Sequence, residues 1–102
     1  MIKLVINADD LGLHPRIDEG ILRAHAEGVV TSATVLATGS NVSEAVARAR
    51  AQRLALGAHL CVTSHLPPAA PAGQVRWLAP GGRFRKDWRE FAAAWAGQLV
   101  PA

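Results

Sequence analysis

The sequence has few of the residues on which several protein classes depend. Its 102 residues include one cysteine, Cys61, so no disulfide can form within the chain, and we expect a reducing, cytoplasmic location. No apolar run approaches about 18 residues and the N-terminus has no secretory signal pattern, so we expect no membrane association. Tyrosine is absent, and three tryptophans and two phenylalanines offer little surface for stacking on nucleic-acid bases.

The charge of the chain is weakly basic and dispersed. Half of the residues are apolar and 19% are charged, which is typical of a folded globular protein. The net charge is +3 and the pI is near 10.0, but the arginines are spread over several segments and do not form one patch. Dispersed arginines usually solvate helix surfaces, so we predict no nucleic-acid partner.

A short apolar run leads directly into two adjacent carboxylates. Residues 4–6 are Leu-Val-Ile, which predicts a buried strand, and Asp9 and Asp10 follow within a few residues. Because side chains alternate along a strand, we expect the two carboxylates to point in different directions. The carboxyl ends of parallel strands are where α/β proteins place ligand sites. The alternative is a solvated turn, since Asp and Gly are common turn residues.

The remaining patterns alternate between helix and strand, which predicts an α/β fold with three parallel strands. Gly28 is predicted to end the first helix in a left-handed conformation, and Asn41 to cap the second with its side chain. We predict a helix at 15–27, a strand at 29–38, a helix after Asn41, a strand at 54–62, a long Pro/Gly-rich loop at 63–82 and a helix at 87–99 with Trp88, Phe91, Ala92 and Trp95 on one face.

His59 lies near the end of the third predicted strand, on the same rim of the sheet as the two aspartates. Carboxylate oxygen and imidazole nitrogen together suit Zn²⁺, Mn²⁺, Co²⁺ or Mg²⁺. Asp10 and His59 are therefore candidate metal ligands, and Asp9 is a candidate general base. A single histidine on an apolar strand is also compatible with a hydrogen-bonded core residue.

Five motifs follow one another along the chain: Asn7–Gly12, Gly20–His25, Gly28–Ser32, Gly57–Leu60 and Gly82–Phe84. Together they resemble the N-terminal part of the YdjC-like carbohydrate deacetylases, which include the chitooligosaccharide deacetylases. The resemblance implies the N-terminal part of a (βα) barrel-like fold, with Asp10 and His59 as metal ligands and Asp9 as the catalytic base. It also implies a divalent metal (Mg²⁺, with Zn²⁺ as an alternative) and an N-acetylated oligosaccharide or amino-sugar substrate.

The chain departs from the family pattern in two places and in its length. Leu11 stands where the family often has Phe, and residues 61–65 differ from the family's usual Asn-Leu-Thr segment. The family's third metal-ligating histidine falls past residue 102, and a closed barrel needs roughly 250 residues. We therefore expect residues 1–102 to form a single partial domain, with His14 and His65 as the only local substitutes for that ligand. Unpaired strand edges predict a homo-oligomer.

Two other functions fit parts of the pattern. A strand that ends in acidic residues is also found in Mg²⁺-binding receiver domains. Those domains place an aspartate at the end of the third strand, where this chain has His59. The other alternative is an inactive truncated fragment.

Overall fold

The computed structural model describes residues 1–64 and 66–99. Its contacts divide the chain into two compact units, Met1–Leu60 and Cys61–Ala102. No helix within the described ranges is both long enough and apolar enough to cross a membrane.

The first unit is a three-stranded parallel sheet whose strands alternate with two helices. The strands lie in the order β1-β2-β3, and each pairs in parallel with its neighbour. The predicted fold class, an α/β chain with three parallel strands alternating with helices, is confirmed. The elements are β1 (Asn7–Leu11), α1 (Pro15–Ala26), β2 (Ser32–Leu36), α2 (Val42–Ala51) and β3 (Ala55–His59).

The core of this unit lies between one face of the sheet and the two helices. Small alanines from β2 and α2 let the backbones approach closely, while leucines and one isoleucine fill the remaining space. An ion pair between Glu19 on α1 and Arg48 on α2 also joins the helices, and its hydrogen bond raises the pKa of Arg48. The buried core residues are Leu11, Ile21, Leu22, Ala33, Ala45, Ala49 and Leu54.

The first strand begins later than the apolar run predicted. Leu4 and Val5 are 74% and 72% exposed and precede β1, so the prediction of a buried strand at residues 4–6 is wrong. Burial requires a covering partner. The pairing with the next segment begins only at Ile6, whose carbonyl accepts from the backbone N–H of Thr31 at 2.9 Å.

The helix boundaries follow the prediction, although two of the predicted end signals act differently. Gly28 does not have a positive φ. A glycine is favoured there because a Cβ would lie 2.7 Å from the Ala24 carbonyl oxygen, which is too close. Asn41 makes no side-chain cap of α2, because its amide is turned toward Asp18. Both predictions were wrong in mechanism.

The second unit contains two short 3₁₀ turns, Ala72–Gln74 and Pro80–Gly82, followed by α3 (Trp88–Leu99). The glycines of the second turn have left-handed backbone conformations, with φ of 70° at Gly81 and 79° at Gly82. Asp87 begins the helix by accepting a hydrogen bond from the Arg89 N–H at 2.7 Å. The face predicted to be apolar is only partly covered: Phe91 and Ala92 are half-buried, whereas Trp88 is 63% exposed and Trp95 51% exposed.

Candidate functional site

A β-bulge shapes the end of β1. Ala8 pairs with Ala33 and Leu11 pairs with Val35. Between these two pairs β1 has two residues and β2 has one, so β1 carries one extra residue. Asp10 supplies the extra residue and has a φ of 67°, a left-handed conformation that a non-glycine residue seldom adopts. Bulges of this kind bend a strand and re-aim its side chains, and they recur beside active sites.

The bulge brings both carboxylates to one face of the sheet. Asp9 Oδ1 lies 2.6 Å from Thr34 Oγ1, and Asp10 Oδ1 lies 3.1 Å from His59 Nδ1. Thr34 and His59 both lie on the face opposite the helices, because the residues that alternate with them pack in the core. The expectation that the two aspartates point in different directions is therefore wrong, since strict alternation fails at a bulge.

Asp10 and His59 form a close pair without a hydrogen bond. Their Oδ1 and Nδ1 atoms are 3.1 Å apart, and the side chains are 46% and 26% exposed. The Nδ1 atom of His59 is itself buried and makes no hydrogen bond to any described residue. A carboxylate oxygen and an imidazole nitrogen that are in contact without a hydrogen bond between them are suited to coordinate one cation together. The pair therefore fits the metal implied by the sequence resemblance.

Asp9 lies in a different environment, held by polar side chains of β1 and β2. Its Oδ1 accepts from the Thr34 hydroxyl at 2.6 Å and from the Asn7 amide nitrogen at 2.8 Å. The Asn7 amide oxygen in turn accepts from the Ser32 hydroxyl at 2.8 Å. In the described part of the chain Asp9 Oδ2 carries no hydrogen bond, so this second oxygen is available to a reacting group.

The amino-acid sequence alone assigns no role to Ser32 or Thr34. The available signal is the alternation in β2, where these two polar residues flank Ala33 of the core. Read with a period of two, that pattern places both hydroxyls on the face opposite the helices. It does not show which carboxylate they meet, because that depends on the register of β1 against β2.

A buried carboxylate holds the turn that follows the site. Asp18 is fully buried on α1 and accepts from the Gly12 backbone N–H at 2.6 Å and from the Asn41 amide at 2.7 Å. It therefore connects the residue after β1 to the start of α2. Nothing in the local sequence pattern indicates that Asp18 is buried.

The other histidines have different roles. His14 Nδ1 accepts from the Arg16 N–H at 3.2 Å and caps α1. His25 Nδ1 lies 2.8 Å from the Val30 carbonyl and its Nε2 lies 3.2 Å from the Gln52 carbonyl, which is a structural role. His65 lies outside the described residues. Within the described ranges, no three His, Cys, Asp or Glu residues come together as a complete metal site.

Comparison with known proteins places these residues in a family context. The sequence profile of the YdjC-like proteins matches residues 3–101. A carbohydrate deacetylase from Enterococcus faecalis is 51% identical over 76 residues, which is 72% of this chain and 29% of the relative. A carbohydrate deacetylase from Homo sapiens is 38% identical over 97 residues, which is 91% of this chain and 30% of the relative.

A solved structure supports the same placement. A protein from Enterococcus faecalis V583, named for cellobiose-phosphate cleavage, superposes with a TM-score of 0.75 at 36% identity. The superposition covers 93% of this chain and 41% of that protein. The chain thus fits the N-terminal part of the fold, and it spans about a third of the length of the curated relatives that it matches.

Proposed function

The chain belongs to the YdjC-like protein family, and from that membership we propose that the full-length protein removes N-acetyl groups from acetylated sugars. By full-length protein we mean a polypeptide that contains these 102 residues and continues to the length of the relatives. The observation that supports the proposal most directly is the Asp10–His59 pair beside the separately held carboxylate of Asp9. Carbohydrate deacetylase relatives support the substrate class.

Asp10 and His59 would hold a divalent metal ion, Mg²⁺ or Zn²⁺. Such an ion supplies Lewis-acid chemistry, which polarises an amide carbonyl and makes nearby water more acidic. Catalytic metal sites usually have three protein ligands, and Asp10 and His59 would supply two. We therefore propose that a third ligand comes from the additional length of the full-length protein, and that the 102 residues alone bind the metal weakly and do not turn over substrate.

Asp9 is proposed as the general base. Its Oδ1 is held by two hydrogen bonds, which leaves Oδ2 to accept a proton from the attacking water. Removal of that proton helps water attack the carbon of the N-acetyl carbonyl. As the C–N bond of the resulting intermediate breaks, the departing nitrogen takes up a proton, which protonated Asp9 can return, and acetate and the free amine are released. An amide is a poor electrophile and neutral water is a poor nucleophile. The metal would make the amide carbonyl more electrophilic, and the base would make the water more nucleophilic.

The edges of the sheet suggest how this unit is completed. β1 and β3 are the outer strands of the three-stranded sheet, and exposed strand edges readily pair with further strands. We propose that strands of the full-length protein cover them. In their absence, the chain would associate with other copies through the same edges.

The proposed activity is tested by measuring acetate release from an N-acetylated chitooligosaccharide by the full-length protein and its variants. Asp9→Asn is expected to keep metal binding and to lower turnover by roughly 10²–10⁴-fold, the usual contribution of a general base. Asp10→Asn and His59→Ala are expected to weaken metal binding strongly in titration calorimetry. His14→Ala is the matched control, because His14 already serves as the cap of α1.

Three outcomes of these measurements would contradict the proposed roles or the proposed activity. Unchanged metal affinity in both Asp10→Asn and His59→Ala would show that these residues are not the ligands. Near-normal acetate release by Asp9→Asn would show that another group is the base. Release of a free sugar phosphate from a phosphorylated disaccharide, with no acetate release from N-acetylated sugars, would replace deacetylation with the activity for which the structural relative is named.

A further inference from the structure

We propose that Thr34 is a positioning residue for Asp9, and that its hydroxyl holds the Asp9 carboxylate in the orientation the proposed deacetylation needs. The inference rests on the proposed function, since it takes Asp9 as the base. The Thr34 hydroxyl donates to Asp9 Oδ1 at 2.6 Å across the β1–β2 pair, and 25 residues of sequence separate the two. A short hydrogen bond to a carboxylate is among the stronger polar contacts in proteins.

The geometry at Asp9 is consistent with positioning rather than general polarity. Both donors, the Thr34 hydroxyl and the Asn7 amide, converge on Oδ1 and none reaches Oδ2 in the described part of the chain. Asn7 cannot rotate freely, because the Ser32 hydroxyl donates to its amide oxygen at 2.8 Å. The result is a carboxylate fixed through one oxygen, while the other has no hydrogen bond to a described residue. A base fixed in this way loses less conformational freedom when it accepts the proton.

The neighbouring strand makes room for Thr34. Gly57 on β3 pairs directly with Thr34, and a Cβ at Gly57 would lie 3.3 Å from the Thr34 methyl carbon. That separation is tighter than an ordinary van der Waals contact, so an added methyl would displace the Thr34 side chain. The backbone of Gly57 does not need a positive φ. The glycine is therefore explained by the space that it leaves for Thr34.

The site also gives Thr34 a role separate from metal binding. Its hydroxyl contacts Asp9, while the proposed ligands are Asp10 and His59. Loss of the hydroxyl should therefore change the chemical step and leave metal affinity unchanged. A residue with only a general structural role would not separate these two quantities.

The test compares the steady-state kinetics of the full-length protein with those of its Thr34→Val, Thr34→Ser and Thr38→Val variants. The last variant is a control that leaves the contact between Thr34 and Asp9 in place. Valine preserves the shape and suits a strand, whereas serine retains the hydroxyl. Thr34→Val is expected to lower kcat by about 10- to 100-fold, as loss of a hydrogen bond to a charged group implies. KM and metal affinity should stay near the wild-type values, and Thr34→Ser should restore most of kcat.

Thr38→Val is the matched control, because the Thr38 hydroxyl is buried but has no hydrogen-bond partner among the described residues. It should leave kcat near the wild-type value. Gly57→Ala is a second, independent perturbation, which keeps the Thr34 hydroxyl but shifts its position. It should also lower kcat. It keeps the test decisive if Thr34→Val does not fold.

The outcomes separate this inference from the proposed function. Wild-type kcat in Thr34→Val together with an inactive Asp9→Asn would overturn the positioning role and leave the base assignment intact. An active Asp9→Asn would instead overturn the base assignment, whatever Thr34→Val does. Equal losses in Thr34→Val and Thr38→Val, or no recovery in Thr34→Ser, would also count against positioning through the hydroxyl.

Discussion

Asp18→Asn should destabilise the full-length protein, because both oxygens of this buried carboxylate are in use. One accepts from the Gly12 N–H at 2.6 Å and the other from the Asn41 amide at 2.7 Å, and the side chain is fully buried. Asparagine has nearly the same shape and a similar helix propensity, so the change removes little packing. It replaces one acceptor with a donor, however, and so sets two N–H groups against each other.

The expected magnitude follows from the two contacts. A hydrogen bond to a charged group contributes about 1.5–3 kcal/mol, and an unsatisfied buried donor costs about 1–3 kcal/mol. Removing the buried charge recovers part of the desolvation penalty. We therefore expect a loss of about 2–4 kcal/mol in the free energy of unfolding, measured by urea denaturation of the full-length protein.

The neighbouring carboxylate provides the control. Glu19 is adjacent in sequence, but its side chain is 64% exposed and pairs with Arg48 at the surface. Surface ion pairs contribute little, so Glu19→Gln should change stability much less than Asp18→Asn. A double-mutant cycle with Asn41→Ala should show coupling, since the two side chains share one hydrogen bond. Equal small losses in Asp18→Asn and Glu19→Gln would refute the role assigned to Asp18.

Two further predictions concern the packing around the site. Gly39→Ala should lower the free energy of unfolding by about 1–3 kcal/mol in urea denaturation, because the new Cβ would meet the Gly12 backbone and force it to move. Gly20→Ala should instead stabilise α1 by roughly 0.5–1 kcal/mol, because a Cβ at Gly20 would have no atom within 4 Å. Equal effects of the two changes would contradict this reasoning. His25→Ala should lower the melting temperature, because the ring contacts two backbone carbonyls, and it should leave metal affinity unchanged; a loss of metal binding without a loss of stability would assign His25 to the site.

The sequence predicted the order of helices and strands because that order depends on local patterns. The starts of α1 at Pro15 and of α2 after Asn41 depend on neighbouring residues, and both are confirmed. Leu4 and Val5 were mispredicted because their burial depends on a partner segment and not on their own character. The pairing of Asp9 with Thr34 was not predicted, because it requires the register between two segments 25 residues apart.

The bulge explains how two adjacent aspartates can be proposed for different tasks. In a regular strand, neighbouring side chains point to opposite faces, and one carboxylate would be lost to the core. The left-handed conformation of Asp10 removes that constraint, so both carboxylates reach the same face but meet different partners. Asp9 receives two hydrogen-bond donors and keeps an oxygen available, which suits a base. Asp10 lies against an imidazole nitrogen that has no hydrogen bond among the described residues, which suits a ligand.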